Sequence, residues 1–538
     1  MSATPTPEQQ KAIDCSGNAV VTARPGSGKT FTLVRMIARE AATLLSYQGI
    51  IAISYTNKAS DELRDRCDRL GIERNRSFFG TIDKLCVGQI IAPFMTHLTG
   101  RKDDLELIDD DSSEEWSRLK GRWHNDPELR VFIENALHSA KLPIGALGPA
   151  ALYVLDTVPQ ARTFIRSRYT SIYVDEYQDC GLYQHLLMKR LMSYGLRGVA
   201  VGDLDQAIFR FADKSPEYLS ELIKAEGFEH FRITENHRCD KAIQDYSLAL
   251  LGIQTGPIAP TDRRVFAVRK QGDEADLAEA IRIRIKPIMQ KYGVDDCSHV
   301  ALIGSGNAVL DRFSTSIGIP NKRYANTPLD NGFTKWRRVF SDMLTSYYDT
   351  NHFSGQFLDH HIGTDAKPSK RSRGLMLLDE YYGLSEGDLS ARVDLAVSIA
   401  DLCEPGAERD GDIDAYRKVV ENVQLMQGGF RPAQPGEVNI LTYHKAKGLE
   451  FDIVFCLEAY RFIMPPYHHE EMAFDACRQS LAMHYVGITR AKKVCYILLG
   501  TKRHNKSGQE KDAEPSEFLS LPGLRDLRIE SNWDLPIR

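Results

Sequence analysis

The sequence predicts an α/β protein built on two parallel sheets flanked by helices, and three observations carry that expectation. Apolar strand-like runs alternate with helical periodicity in two separate series. The first series opens on a glycine-rich loop held between a strand and a helix. Each series is interrupted by a long stretch of mostly helical pattern, at 91–160 and at 326–430.

The opening element is Asn18-Ala19-Val20-Val21-Thr22, a short β-branched run that reads as a strand. It runs into Ala23-Arg24-Pro25-Gly26-Ser27-Gly28-Lys29-Thr30, with Pro25, Ser27 and Phe31 among the candidate nucleotide-binding residues, and apolar periodicity through Leu33, Met36 and Ile37 then predicts a helix. Strand, glycine loop and helix form the context in which a loop can wrap phosphate. Gly26 and Gly28 let backbone N–H groups curl around oxygens, Lys29 reaches terminal phosphates, and Thr30 offers a hydroxyl to Mg²⁺. The position of the usual first glycine holds Ala23.

Ile50-Ile51-Ala52-Ile53-Ser54, Ile172-Tyr173-Val174 and Val199-Ala200-Val201 are predicted to join that strand in one parallel sheet. The run Ser171–Val174 ends in Asp175-Glu176, where Asp175 can hold the metal and Glu176 can orient or deprotonate an attacking water. Past the third of these strands, Gln206 is suited to a γ-phosphate or its water, and Phe209 and Phe211 offer faces for bases or for the core. Arg238 and Arg490 are candidate arginine fingers, since a guanidinium keeps its charge and can stabilise a transferring phosphoryl group. The second series comprises Val300–Ile303, Val438–Leu441, Ile453–Phe455 and Val494–Leu498, with no glycine-rich loop of its own. The basic stretch Lys367-Pro368-Ser369-Lys370-Arg371-Ser372-Arg373 is expected to be a flexible loop.

Composition sets outer bounds. The 538 residues, 42% hydrophobic, can bury more than one core. A net charge of −5 argues against a uniformly basic nucleic-acid coat, while 68 Lys and Arg leave material for a local basic groove. The ten cysteines stand singly, without a C-x-x-C pair, as expected of reduced thiols in a cytoplasmic protein. Met1-Ser2-Ala3-Thr4-Pro5 lacks the charged start and apolar core of an export signal. His468-His469-Glu470-Glu471 follows Pro465-Pro466 without Cys or His partners at ligand spacing and is read as a polar loop.

From Gln9 to Arg490 the chain resembles the superfamily 1 DNA helicases of the UvrD/Rep/PcrA type, through an ordered set of motifs. Thr6-Pro7-Glu8-Gln9 resembles the Q-motif, Tyr55-Thr56-Asn57-Lys58-Ala59 motif Ia, Phe79-Gly80-Thr81-Ile82-Asp83 motif Ib, and Asp175-Glu176-Tyr177-Gln178-Asp179 motif II. The Gln206 and Arg238 segments are similar to motifs III and IV, Leu441–Phe451 to motif V, and Tyr485–Lys493 to motif VI. The resemblance implies two RecA-like P-loop lobes with ATP and Mg²⁺ in a cleft, and Lys29 and Arg490 facing the nucleotide from opposite sides. It implies that Gln9, His237, Gly448 and Glu450 lie toward the nucleotide, and that Thr56, Asn57, Thr81, Phe209, Phe211 and His444 lie toward single-stranded DNA. Departures are Asp83 for histidine, Ala207 and Phe209 for serine and tyrosine, Phe211-Ala212-Asp213 for Trp-Arg-Gly, and His237 for an aromatic adenine partner.

On this resemblance, 1–90 with 161–255 forms the first, ATP-binding lobe, and 91–160 is a helical insertion in it. Residues 256–325 with 431–505 form the second lobe, 326–430 is its reduced helical insertion, and 506–538 is a tail. Both insertions are shorter than the accessory subdomains of large housekeeping helicases. Compact length, the Phe79–Asp83 and Ile90–Phe94 segments, and Arg168-Tyr169 before Ile172–Asp175 resemble most the helicase-like subunits of Gabija anti-phage systems. That resemblance implies an ATP-driven 3′ to 5′ DNA motor acting beside an OLD-family, TOPRIM-bearing nuclease; a regulatory subunit that licenses the nuclease and a repair helicase are the alternatives.

Overall fold

In the computed structural model, residues 4–535 are described except 25, 55–56, 73–75, 101–104, 109, 204–216, 331–333, 350–352, 363–365, 409–410, 467–472 and 506. The chain divides into two compact units, one of 1–262, 462–492 and 520–527, the other of 263–461, 493–519 and 528–538.

The first unit holds β1 (Asn18–Ala23), β2 (Gly49–Ile53), β3 (Phe78–Gly80), β4 (Glu106–Ile108), β5 (Lys141–Pro143), β6 (Tyr169–Val174), β7 (Arg197–Gly202) and β8 (Phe228–Ile233). Six of them form a sheet in the order β3-β2-β6-β7-β1-β8, and every pairing in it is parallel. Strand side chains alternate between faces, and the sequence uses both. Val20, Ile51, Ile53, Ile172, Val174 and Ala200 enter one core; their neighbours Val21, Ile50, Ala52, Tyr173, Val199 and Val201 enter another. Burial on both faces explains why these strands appear in sequence as unbroken apolar runs rather than alternating ones. The first core continues into the 91–160 region, where the helices Pro127–His138 and Leu147–Thr157 bury Leu129, Ile133, Leu152 and Leu155.

The second unit holds β9 (Val265–Lys270), β10 (Val300–Gly304), β11 (Asn321–Arg323), β12 (Val438–Thr442), β13 (Phe451–Cys456), β14 (Ala491–Gly500), β15 (Lys502–His504), β16 (Glu510–Asp512) and β17 (Ile529–Asn532). Its main sheet runs β11-β12-β10-β13-β14-β9-β17, so β9, first in sequence, lies near one edge as β1 does in the other sheet. Residues 335–430 add a helical bundle with its own core, centred on Trp336, Phe340, Leu358, Tyr381 and Tyr416. The Tyr381 and Tyr416 hydroxyls meet at 2.8 Å inside it.

One expectation is corrected. Lys367–Arg373 is no loop: Pro368 opens the helix Pro368–Tyr382. Proline is tolerated in a first helical turn, and burial of Leu378 and Tyr381 outweighs the poor placement of basic residues at a helix start. The contact division also cuts through 431–505, expected as one piece of the second lobe. Within it, 462–492 packs with the first unit, where Lys492 O accepts from Asp240 N at 2.8 Å and Thr489 O accepts from Cys239 Sγ at 3.7 Å. All ten cysteines are free thiols. Among the described residues no helix is long and apolar enough to cross a membrane.

Candidate functional site

Strand order decides what meets the glycine loop. Because β1 lies beside β7 and β7 beside β6, the residues that follow these strands converge at one edge of the sheet. They are the loop Arg24–Gly28 after β1, Asp175 and Glu176 after β6, and Asp203 after β7.

The loop is shaped by backbone that only glycine adopts without strain. Gly26 has φ 77° and Gly28 φ 81°, both left-handed. A Cβ at Gly26 would fall 2.4 Å from Arg238 Cβ and 2.5 Å from Asn236 Oδ1, and one at Gly28 would fall 2.6 Å from Gln9 Nε2. Gly28 also caps α2 (Lys29–Ala41, with α1 being Pro7–Asp14) and supplies no side-chain acceptor to the first-turn N–H groups. Those donors, with the positive end of the helix dipole, form a ready anion site. Thr30 and Phe31 occupy the first turn, and the Arg35 guanidinium lies over the Phe31 ring at 4.5 Å.

Lys29 Nζ donates to Glu176 Oε1 at 3.1 Å and Oε2 at 3.0 Å. Burial alone would lower the Lys29 ammonium, but the charges of Glu176, Asp203 and Asp175 outweigh it and hold the group above its ordinary value. Burial, then the neighbouring Glu176 charge, pushes the Asp175 carboxyl up against the pull of Lys29. Glu176 itself sits at φ 52°, a left-handed conformation rarely adopted by residues other than glycine. Asp175 Oδ1 accepts its N–H at 2.9 Å. Positive φ, crowded carboxylates and an engaged lysine coincide at this one place.

Gln9 is buried and its carboxamide works at both ends. Its Oε1 accepts from Thr6 N at 2.9 Å, closing the cap of α1, and its Nε2 donates to Ser27 O at 3.0 Å. His237 N donates to Gly26 O at 2.8 Å, while its ring is exposed. Arg238 therefore stands against the glycine loop. Arg490, 1% exposed, follows the helix Ala473–Ile488 and donates from Nε to Val486 O at 3.0 Å and from Nη2 to Thr489 Oγ1 at 3.3 Å. Bonds from Cys239 and Asp240 to Thr489 and Lys492 tie the Arg238 and Arg490 segments together.

Other candidates are more scattered. Thr81 caps the short helix Ile82–Leu85, accepting from Lys84 N at 3.4 Å, and Asn57 opens α3 (Asn57–Arg69). His444, Gly448 and Glu450 are exposed in the second unit. Pro25, Thr56, Gln206, Phe209 and Phe211, with His468–Glu471, lie outside the described residues.

Gln178 went unnoticed in sequence as a site residue. Its Nε2 donates to Glu176 Oε2 at 2.5 Å, and its Oε1 accepts from Asp203 N at 2.9 Å. One buried carboxamide thus joins the carboxylate beside Lys29 to the end of β7, immediately before 204–216. Its place two residues after Glu176 was the available signal; the partner at 203 was not.

Comparison with known proteins agrees with this geometry. The family model of the UvrD/REP helicase N-terminal domain matches residues 5–146 and 132–225, and that of the UvrD-like helicase C-terminal domain matches 376–502. Gabija protein GajB of Bacillus cereus (strain VD045) is 31% identical over 92% of this chain and 96% of its own. The chain belongs to the UvrD-like helicase family. Within that family, ATP-dependent DNA helicase Rep of Salmonella typhimurium is 23% identical over 95% of this chain and 93% of its own. ATP-dependent DNA helicase PcrA of Bacillus subtilis (strain 168) is 28% identical over 38% of this chain and 33% of its own. The two sheets flanked by helices are the two RecA-like lobes of this helicase family.

Proposed function

We propose that this protein is an ATP-driven, 3′ to 5′ motor on single-stranded DNA and the NTPase subunit of a Gabija-type antiviral complex. It works in the cytoplasm beside an OLD-family, TOPRIM-bearing nuclease. The observation that carries the motor reading is the contact of Lys29 with Glu176 beside an uncapped helix start, which puts phosphate-binding and water-activating groups in one place. The similarity to GajB along nearly the whole chain supports the defence role.

In this reading the N–H groups of Gly26–Thr30 and Lys29 hold the β- and γ-phosphates. Lys29 exchanges Glu176 for phosphate, which frees Glu176 to take a proton from water. The oxygen donors of Thr30 and Asp175 suit Mg²⁺, and the buried Asp175 carboxylate is a ligand for a hard cation in place of its proton. When bound, Mg²⁺ supplies charge neutralisation at the phosphate oxygens. Arg238 and Arg490 stabilise the transferring phosphoryl group, and Gln206 reports its state to the DNA-facing Phe209 and Phe211. Gln9 and His237 hold the base, Gly448 and Glu450 the sugar and phosphates, and Thr56, Asn57, Thr81 and His444 the DNA backbone.

The test is ATP hydrolysis by the purified chain with and without single-stranded DNA, with Lys29→Ala as control. Stimulation by DNA, reduced roughly 100-fold or more in the variant, is expected. Nucleotide binding without DNA stimulation would contradict the motor and favour a regulatory subunit that licenses the nuclease.

A further inference from the structure

We propose that Asp342, His360 and His361, in the helical bundle of the second unit, form a binding site for a late first-row divalent metal ion, of which zinc is the natural occupant. Asp342 lies on the helix Lys335–Tyr348, and the two histidines lie in the last turn of the helix Ser354–Ile362. They lie outside the residues that the two helicase family models match, and the nucleotide chemistry above uses none of them.

The geometry is that of a nearly closed ligand set. His361 Nε2 lies 3.3 Å from Asp342 Oδ2 and His360 Nε2 lies 3.8 Å from the same oxygen. One ligand atom from each of the three residues falls within 4.8 Å of the other two. A tetrahedral zinc with bonds of about 2.0–2.1 Å has ligand atoms about 3.3 Å apart, so one edge is already at length and the others close with small side-chain rotations. Water or another group completes the fourth position.

Burial and charge favour a cation at this place. The side chains of His361 and His360 are 5% and 12% exposed, and that of Asp342 is 34% exposed. The Asp342 oxygen that faces the imidazoles is itself shut from solvent. A carboxylate oxygen so placed calls for positive charge. The two imidazole rings lie 4.7 Å apart. A single divalent ion answers the carboxylate and can take one nitrogen from each ring. The exposed flank of Asp342 provides the way in. Two imidazoles and a carboxylate select zinc or its neighbours and discriminate against Mg²⁺, which takes all-oxygen sites. Bound there, the ion pins Lys335–Tyr348 to Ser354–Ile362.

A second cluster, Asp273, His504 and Glu510, gives a control. There His504 Nδ1 meets Glu274 Oε2 at 2.7 Å, Asp273 caps a helix, and Glu510 pairs with Lys502 at 3.8 Å.

The experiment uses the full chain without an affinity tag, stripped by chelator and then titrated with Zn²⁺ in excess Mg²⁺. Zinc content is measured by elemental analysis and affinity by competition with a chromophoric chelator; Co²⁺ serves as a visible-absorption probe of tetrahedral geometry. One tight Zn²⁺ per chain is expected, with affinity falling at least tenfold in Asp342→Asn and in His361→Gln and unchanged in His504→Gln. Asp342→Asn is isosteric and partly exposed, so it keeps the test decisive if the buried His361→Gln does not fold. Absence of tight zinc in the parent chain, or affinity unchanged in Asp342→Asn, would overturn the proposal. So would a thermal stability indifferent to added zinc.

Discussion

The two sheets place a helix start at the same topological position, and only one of the two starts is left open to an anion. In the first unit β1 lies between β7 and β8; in the second, β9 lies between β14 and β17. After β1 the cap is Gly28, with no side-chain acceptor and no acidic residue in the first turn of α2. After β9 the cap is Asp273, whose carboxylate accepts from Ala275 N at 2.9 Å and Asp276 N at 3.4 Å. Asp276 returns the bond by accepting from Asp273 N at 3.0 Å, and the buried Glu274 adds another charge. One helix start is therefore capped by its own carboxylates, while the other presents donors, a dipole and Lys29. The lesson is that topology supplies the cradle twice and a few cap residues decide whether it takes phosphate.

The largest effect expected from this contrast is in Gly28→Asp, which gives the first helix the cap of the second. Its Cβ would meet Gln9 Nε2 at 2.6 Å and its carboxylate would occupy the anion site. Binding of a fluorescent ATP analogue is expected to vanish while circular dichroism keeps the native helix content.

Asp175→Asn comes next and moves activity and stability in opposite directions. The folded Asp175 carboxyl binds its proton more readily than in the unfolded chain, so folding takes up a proton between the ordinary carboxylate range and the raised value. Stability from this group therefore falls as pH rises through that window, and the neutral amide removes the penalty. ATP hydrolysis should collapse and the melting temperature at pH 7 should rise; in the parent chain, hydrolysis should start to fail on acidification above the ordinary carboxylate range.

Gln178→Ala tests whether the open site communicates with the end of β7. Basal hydrolysis should change less than its stimulation by single-stranded DNA, since the link from Glu176 to Asp203 N is lost while Lys29 and Asp175 remain. Equal losses in both rates would break that link as an explanation. The smallest effect belongs to Asp273→Ala, which should cost about 1 kcal/mol in denaturant unfolding and leave hydrolysis unaltered.

The contrast was partly legible in the sequence. Gly26, Gly28, Lys29 and the Asp175-Glu176 pair announce themselves because strand, loop and helix are contiguous, and local pattern is what sequence displays best. The strand series of both sheets was legible for the same reason. Gln178 was not, because its role depends on Asp203, which only strand order brings near. The bonds from Cys239 and Asp240 to Thr489 and Lys492 were hidden in the same way, since they join residues some 250 apart in the chain. Lys367–Arg373 misled because its charge suggested a loop, while the residues that fix the helix, Leu378 and Tyr381, come a turn or more later.

The most direct test counts nucleotides by isothermal titration of the full chain with a non-hydrolysable ATP analogue and Mg²⁺. The account predicts one nucleotide per chain, abolished by Lys29→Ala and untouched by Asp273→Ala. Two nucleotides per chain, or one that survives Lys29→Ala, would contradict it.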